Sequence, residues 1–275
     1  MRSITASMLY DYVLCPHRVT MDVYGDDSKR DSVSPFVQLL WKRGFAHEND
    51  VIIGLRLRFL DLSGVKDSDT ERLTIYSTKR CEPLIYSGRI SIGNLVGIPD
   101  FLRKEGSGCV AGDIKSGSGE DGSDDDEERK PKKHYAVQVA LYTDILERLG
   151  MSAGRRAFIL DINGEEVHYD LSASYGVRNP RTLWQDYEDT LTSIRAILVE
   201  NKTLPAYSST CKNCVWYSAC LERLEHDNDL TLIPFLGRAL RDTIAAQIGN
   251  VQALSVINPD EFIAEKGKKT VFAGL

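Results

Sequence analysis

The sequence predicts an α/β fold, strands interspersed with helices, and three patterns carry that reading. Two pairs of short apolar segments are joined by glycine-bearing turns, at 98–114 and at 156–171. Around them, apolar residues recur at helical spacing over 5–15, 34–47, 134–149 and 179–201. The 275 residues are 42% apolar and 27% charged, globular values for a chain long enough to bury a sizeable core.

Taken in order, Thr5 or Ser7 can cap a first helix running towards Cys15, with Met8, Leu9, Tyr12 and Val13 as its apolar face. Pro16 follows at once. Ser34-Pro35 opens a second helix with a cap residue and a proline at the first helical position. Phe36, Leu39, Leu40 and Arg43 repeat along it, and Gly44-Phe45-Ala46-His47 lies near its end. Residues 51–95 read as strands and polar loops, and Cys81 within them has no evident partner. No apolar run reaches membrane-spanning length, and Met1–Thr5 leads into a polar helix rather than a signal peptide. The expectation is a soluble, cytoplasmic protein with no membrane partner. In that compartment six cysteines suggest metal binding, catalysis or packing before disulfides.

The chemistry gathers in the first hairpin. Ile98–Arg103 and Cys109–Ile114 flank the turn Glu105-Gly106-Ser107-Gly108. Strand side chains alternate faces, so Asp113 and Lys115 point one way and Ile114 points the other, into a core. Asp100, early on the first strand, can lie across from them. Two carboxylates and an ammonium at one rim suit metal-assisted phosphodiester hydrolysis. The acids hold a hard cation through oxygen, and the lysine orients water or stabilises charge on the phosphate. The competing reading is an ordinary hairpin with surface charges.

Ser116–Lys133 follows, rich in blocked charge, and 118–133 reads as a mobile acidic insert. Gly117–Gly122 formally fits G-x-G-x-x-G, but the acids at Asp124–Glu128 would repel a pyrophosphate, so the motif is rejected. Seven acids and no base lie between Glu120 and Glu128; without them the formal charge of −6 would become +1, so overall charge excludes nothing. The next helix, His134–Leu149, ends before Gly150 and carries Gln138 and Tyr142 one turn apart. Arg156–Asp161 and Val167–Leu171 form a hairpin about Asn163-Gly164. Asn179–Asn201 is a long helix with Leu183, Trp184, Tyr187, Leu191, Ile194 and Leu198 on its buried side.

Beyond Leu204-Pro205-Ala206 comes Cys211-x-x-Cys214-x5-Cys220, a strong ligand spacing that lacks a local fourth member. Cys15 is the best candidate to complete it, and four thiolates fit either tetrahedral zinc or a [4Fe-4S] cluster.

The order Cys15, His47, Pro99-Asp100, Asp113-Ile114-Lys115, Gln138-x-x-x-Tyr142 and the three clustered cysteines resembles the RecB-like nucleases of the PD-(D/E)XK superfamily. It is most similar to their iron–sulfur branch, with the CRISPR-associated RecB-like exonucleases and the AddB nuclease domain. The resemblance spans roughly residues 5–225 and implies an α/β restriction-endonuclease-like core over 1–228, a mixed central sheet flanked by helices, with a cysteine-stapled helical region. It implies that His47, Asp100, Asp113 and the Ile114 carbonyl bind Mg²⁺ or Mn²⁺ and that Lys115 is the catalytic lysine. Gln138 and Tyr142 would position substrate or the lysine, and Cys15, Cys211, Cys214 and Cys220 would hold a [4Fe-4S] cluster. The implied activity is a metal-dependent DNA nuclease directed at single strands or ends, in DNA repair or CRISPR adaptation, with a repair helicase or CRISPR integrase as partner. The alternative is a DNA-binding or assembly module that keeps the fold and cluster but turns over weakly. The tail, 229–275, is a small α-helical appendage: Leu232–Gly237 with Arg238–Ile248 is similar to half of a helix–hairpin–helix module, with Phe235 where glycine is usual.

Overall fold

The computed structural model describes residues 2–122, 129–176 and 179–261. The first half of the chain runs β1 (Ile4–Thr5), α1 (Ala6–Leu14), α2 (Pro16–Tyr24), α3 (Pro35–Gly54), β2 (Leu60–Asp61), α4 (Asp67–Lys79), β3 (Leu84–Tyr86), β4 (Ile90–Ile92), β5 (Leu95–Gly97), β6 (Phe101–Glu105) and β7 (Gly108–Ile114). It continues with β8 (Glu120–Asp121), β9 (Lys130–Pro131), α5 (Lys133–Arg148), β10 (Ser152–Leu160), β11 (Glu166–Asp170), β12 (Ser174–Tyr175), β13 (Arg181–Thr182), α6 (Leu183–Leu198), α7 (Tyr217–His226), α8 (Arg238–Ile244) and α9 (Val251–Ser255). By internal contacts these divide into two compact units, Met1–Val19 with Pro35–Asn201, and Thr20–Ser34 with Lys202–Leu275.

The first unit is built on a six-stranded sheet in the order β11-β10-β7-β6-β3-β2. It is mixed: β7 pairs in parallel with β10 and antiparallel with β6, and β2 is parallel to β3. β7 therefore sits inside the sheet, and all seven of its residues are buried. Alternation along it sends Cys109 and Ala111 into the larger core and Val110 and Ile114 into a smaller one on the opposite face. The parallel β7–β10 pair needs a crossover, and α5 supplies it. From Tyr135 to Leu146 every residue of α5 except Gln138 is buried, as expected of a helix covered on nearly all sides. On the other face Val51, Ile52 and Leu55 pack over Leu84, Phe101, Val110, Ile114 and Phe158. Gly112 is required there: a Cβ would come within 2.3 Å of the Phe158 ring, which stacks on Phe101 at 6.2 Å across the strand.

Four expectations need correction. Residues 51–95 contain a 13-residue helix, α4, whose buried face is Thr70, Thr74, Ser77 and Thr78. Its hydroxyls satisfy themselves on backbone carbonyls one turn back, Thr74 on Thr70 at 2.7 Å and Thr78 on Thr74 at 2.9 Å, so the face packs without an apolar stripe. The second helix continues past His47 to Gly54, because Gly44 is tolerated mid-helix and Val51, Ile52 and Leu55 anchor the far end. The helix expected from Asn179 starts at Leu183, fixed by a capping box between Thr182 and Gln185. The acidic insert is not loop throughout, since Glu120–Asp121 pairs with Lys130–Pro131; its centre, 123–128, lies outside the described residues.

In the second unit Trp216 is buried, donates Nε1–H to Asp22 at 2.8 Å and fills the space beside Gly25. Ser218 N–H reaches Asp31 at 2.8 Å. Leu230, Leu236, Ile244 and Ile248 make a separate small core. At the hairpin tip Phe235 is fully exposed and takes the left-handed φ of +68° that glycine would adopt without cost. Residues 202–228, with the three clustered cysteines, are in the same unit as the helical tail.

Candidate active site

The turn before β6 brings Asp100 against the end of β7. Ser87 N–H holds the Asp100 carbonyl at 2.9 Å, and Asp100 N–H donates to Asp113 Oδ1 at 3.3 Å. In return Ile114 N–H donates to Asp100 Oδ2 at 2.7 Å. Lys115 Nζ donates to Asp113 Oδ2 at 2.8 Å. The backbone of Lys115 is held by Leu160 on the neighbouring strand, at 2.8 Å. Period-two alternation and the β6–β7 register thus gather Asp100, Asp113 and Lys115 at one strand end, with Ile114 turned to the opposite face.

The electrostatics of the trio are unbalanced. Burial, then the Asp113 carboxylate, pushes the Asp100 carboxyl well above its usual range, against the pull of Lys115 and the Ile114 N–H; Glu48 adds to the rise. Burial alone would lower Lys115, but Asp113 and Asp100 outweigh it and its ammonium is held above the ordinary lysine value. Tyr142 is raised well above normal by burial and by the same two carboxylates, so it is a neutral phenol. Gln138 Nε2 reaches Tyr142 Oη at 3.5 Å, while Gln138 Oε1 is buried with no partner among the described residues. Tyr142 is seated by Gly97, where a Cβ would stand 2.5 Å from its ring.

A cleft of about 440 Å³ opens over this strand end, lined by Lys115, Ile114 and Gln138 and by residues of α1, α3 and α5. From α3 it is Glu48, not His47, that lines the cleft. Tyr86 Oη donates to Glu48 Oε1 at 2.6 Å, and this bond with burial raises the Tyr86 phenol. His47 is one residue away, about 100° around the helix, and its Nε2 is buried with no hydrogen-bond partner among the described residues. Glu48 and Tyr86 went unnoticed in the sequence, and only the spacing of Glu48 from Trp41 and Phe45 on one helical stripe could have signalled it.

Among the described residues no three His, Cys, Asp or Glu side chains are gathered into a group that could hold a metal ion. Both oxygens of Asp113 and one of Asp100 are engaged within the protein. The donor chemistry still fits a hard cation. Two neighbouring carboxylates stand beside a single ammonium that pairs with Asp113, burial and this crowding raise the Asp100 carboxyl, and an orphaned imidazole nitrogen is on the adjacent helix. Cys15 caps α1 in the first unit, while Cys211, Cys214 and Cys220 lie about α7 in the second, and none of the four is in a disulfide. No helix among the described residues is long and apolar enough to cross a membrane.

No curated protein matches the chain. The model of the PD-(D/E)XK nuclease superfamily matches residues 14–221, most of the length and the strands and helix that carry Asp100, Asp113, Lys115 and Gln138, so the chain belongs to that superfamily.

Proposed function

We propose that this protein is a metal-dependent deoxyribonuclease that hydrolyses phosphodiester bonds at the Asp100–Asp113–Lys115 strand end. The observation that carries the reading is the juxtaposed Asp100 and Asp113 carboxylates, with Lys115 paired to Asp113 and lining an open cleft. Asp100 and Asp113 would hold Mg²⁺ or Mn²⁺, with the Ile114 carbonyl and either His47 or Glu48 completing the set. Bound there, the cation supplies a polarised phosphate and a water of lowered pKa. Lys115, kept charged by its carboxylate neighbours, would stabilise negative charge developing on the phosphate. Gln138 and neutral Tyr142 would orient the lysine and the substrate through the cleft wall.

The motif order, similar to RecB-like nucleases, supports an exonuclease acting beside a repair helicase or a CRISPR integrase. The C-x-x-C-x5-C spacing together with Cys15 fits either zinc or a [4Fe-4S] cluster, and the resemblance to the iron–sulfur branch favours the cluster. Protein purified without oxygen should then be brown and contain iron, and Cys211→Ser should bleach it; stoichiometric zinc without iron would replace the cluster with a zinc staple.

Lys115→Ala should lower Mn²⁺-dependent cleavage of end-labelled DNA at least about a hundredfold. Lys115→Arg retains the charge that neutralises Asp113 and separates loss of chemistry from loss of fold in a melting experiment. Cleavage by Lys115→Ala at the parent rate sinks the assignment.

A further inference from the structure

The two halves of α3 behave differently. Its C-terminal half is tied down by Val51, Ile52 and Leu55 in the smaller core and by the Tyr86–Glu48 bond. Its N-terminal half leaves Phe36, Leu39, Leu40, Trp41 and Phe45 exposed, and no residue of the helix is buried. Two of these side chains are rings, one turn apart: Trp41 is 55% exposed and Phe45 is 68% exposed. Both line the cleft that ends at Lys115. The facing wall is aromatic too. Tyr10 and Tyr135 also line the cleft and stack on each other at 6.1 Å, 24° from parallel. Two cations, Lys115 at 5.6 Å and Lys132 at 5.7 Å, sit over the Tyr135 ring.

A passage with rings on both walls, cations along one of them and Lys115 of the proposed phosphodiester-cleaving trio at its end has the chemistry of a single nucleic-acid strand. Bases stack on aromatic faces, and their phosphates pair with lysines. Lys42 and Arg43, exposed beside Trp41, add positive charge on the α3 side. A duplex cannot use such a passage, because its bases present only their edges and are already stacked on one another. Water-exposed rings on a helix are costly unless something covers them. An unpaired base would do so at the point where its own phosphate reaches Lys115.

We infer that Trp41 and Phe45 form a base-stacking platform that makes this cleft selective for unpaired DNA. The inference rests on the reading of the cleft as the nuclease centre. The platform binds bases without regard to sequence, since every base has a π-face, and its contribution to binding does not require the metal.

The test is fluorescence anisotropy of the 275-residue protein with labelled oligothymidylate and with a blunt duplex, in EDTA so that binding is read apart from cleavage. Trp41→Ala with Phe45→Ala should weaken oligothymidylate binding by at least about tenfold and change duplex binding less than about twofold. Because both rings are exposed, the thermal midpoint should not move. Trp41→Phe with Phe45→Tyr keeps the rings and should retain binding, whereas Trp41→Leu with Phe45→Leu should lose it as the alanine pair does. Leucines that bind like the parent, or alanines that do, overturn the platform. So does a parent that sediments as a dimer and dissociates with the alanine pair, since that face would then join two copies. The Lys115→Ala protein, run in parallel, tells the two proposals apart. If it cleaves at the parent rate while the ring variants lose binding, the nuclease centre is misplaced and the platform stands; if it is dead while the ring variants bind normally, the platform alone fails.

Discussion

Asp100→Asn should make the metal-free protein more stable while destroying its activity. Asp100 is half-buried beside the buried Asp113, and its raised affinity for protons means that ionising it costs the folded state more than the unfolded chain. Asparagine keeps an acceptor for the Ile114 N–H, at 2.7 Å in the parent, and removes the charge. Single substitutions shift stability by about 0.5–3 kcal/mol, and allowing for the lost attraction to Lys115 the gain in EDTA at pH 8 should lie within that range, read as a rise in the midpoint. The direction with pH follows from the raised folded value. Below the unfolded carboxyl's pKa of about 3.9 both states are protonated and the two proteins should melt alike. The penalty on the parent grows as pH rises through the folded value and is constant above it. Manganese should invert the order, because a ligand that binds only the native state stabilises the parent by mass action and the variant lacks one of its acids. Thermal unfolding of both proteins at pH 4 and pH 8, with EDTA or with Mn²⁺, reads all of this. An Asn variant less stable than the parent in EDTA at pH 8 refutes the account of the carboxylate pair, and a parent whose midpoint ignores Mn²⁺ refutes the metal site.

Two further outcomes follow from the packing around the site. Gly97→Ala pushes a methyl to 2.5 Å from the buried Tyr142 ring, so urea titration should show a loss of about 1–3 kcal/mol and cleavage should fall with it; an unchanged midpoint would mean that Tyr142 is free to move. Arg103 grips Glu166 with bonds of 2.7 and 2.8 Å across the sheet, lowering the Glu166 carboxyl chiefly through those hydrogen bonds. Both side chains are partly exposed, so Glu166→Gln should cost only about 1 kcal/mol at pH 7. That stability is present above the unfolded glutamate value and lost as pH falls through the lowered folded one; a difference that persists at pH 2 would point to packing instead of charge.

Much of the site was legible because it depends on local rules. Alternation puts Asp113 and Lys115 on one side of a strand wherever that strand goes, and a two-residue turn at Gly106-Ser107 fixes which residue of β6 faces β7. The buried faces of α5 and α6 could be read in the same way, from 3.6-residue periodicity. α4 could not, because its inward face is threonine and serine satisfied by the helix's own carbonyls, and an apolar stripe is the only helical signal a sequence displays strongly.

The sequence by itself determined the strand end: the acids, the lysine and the order of elements that carry them, since each depends on the backbone period and a short turn. Only the tertiary structure decided which member of the His47–Glu48 pair lines the cleft, that Tyr142 lies against Gly97, and that the periodic apolar stripe of α3 opens on the cleft instead of a core. Those outcomes depend on how a helix is rotated and translated against a sheet. Rotation is set by the whole set of side chains filling the interface, and a shift of one residue turns a helix through about 100°, so no local pattern can specify it.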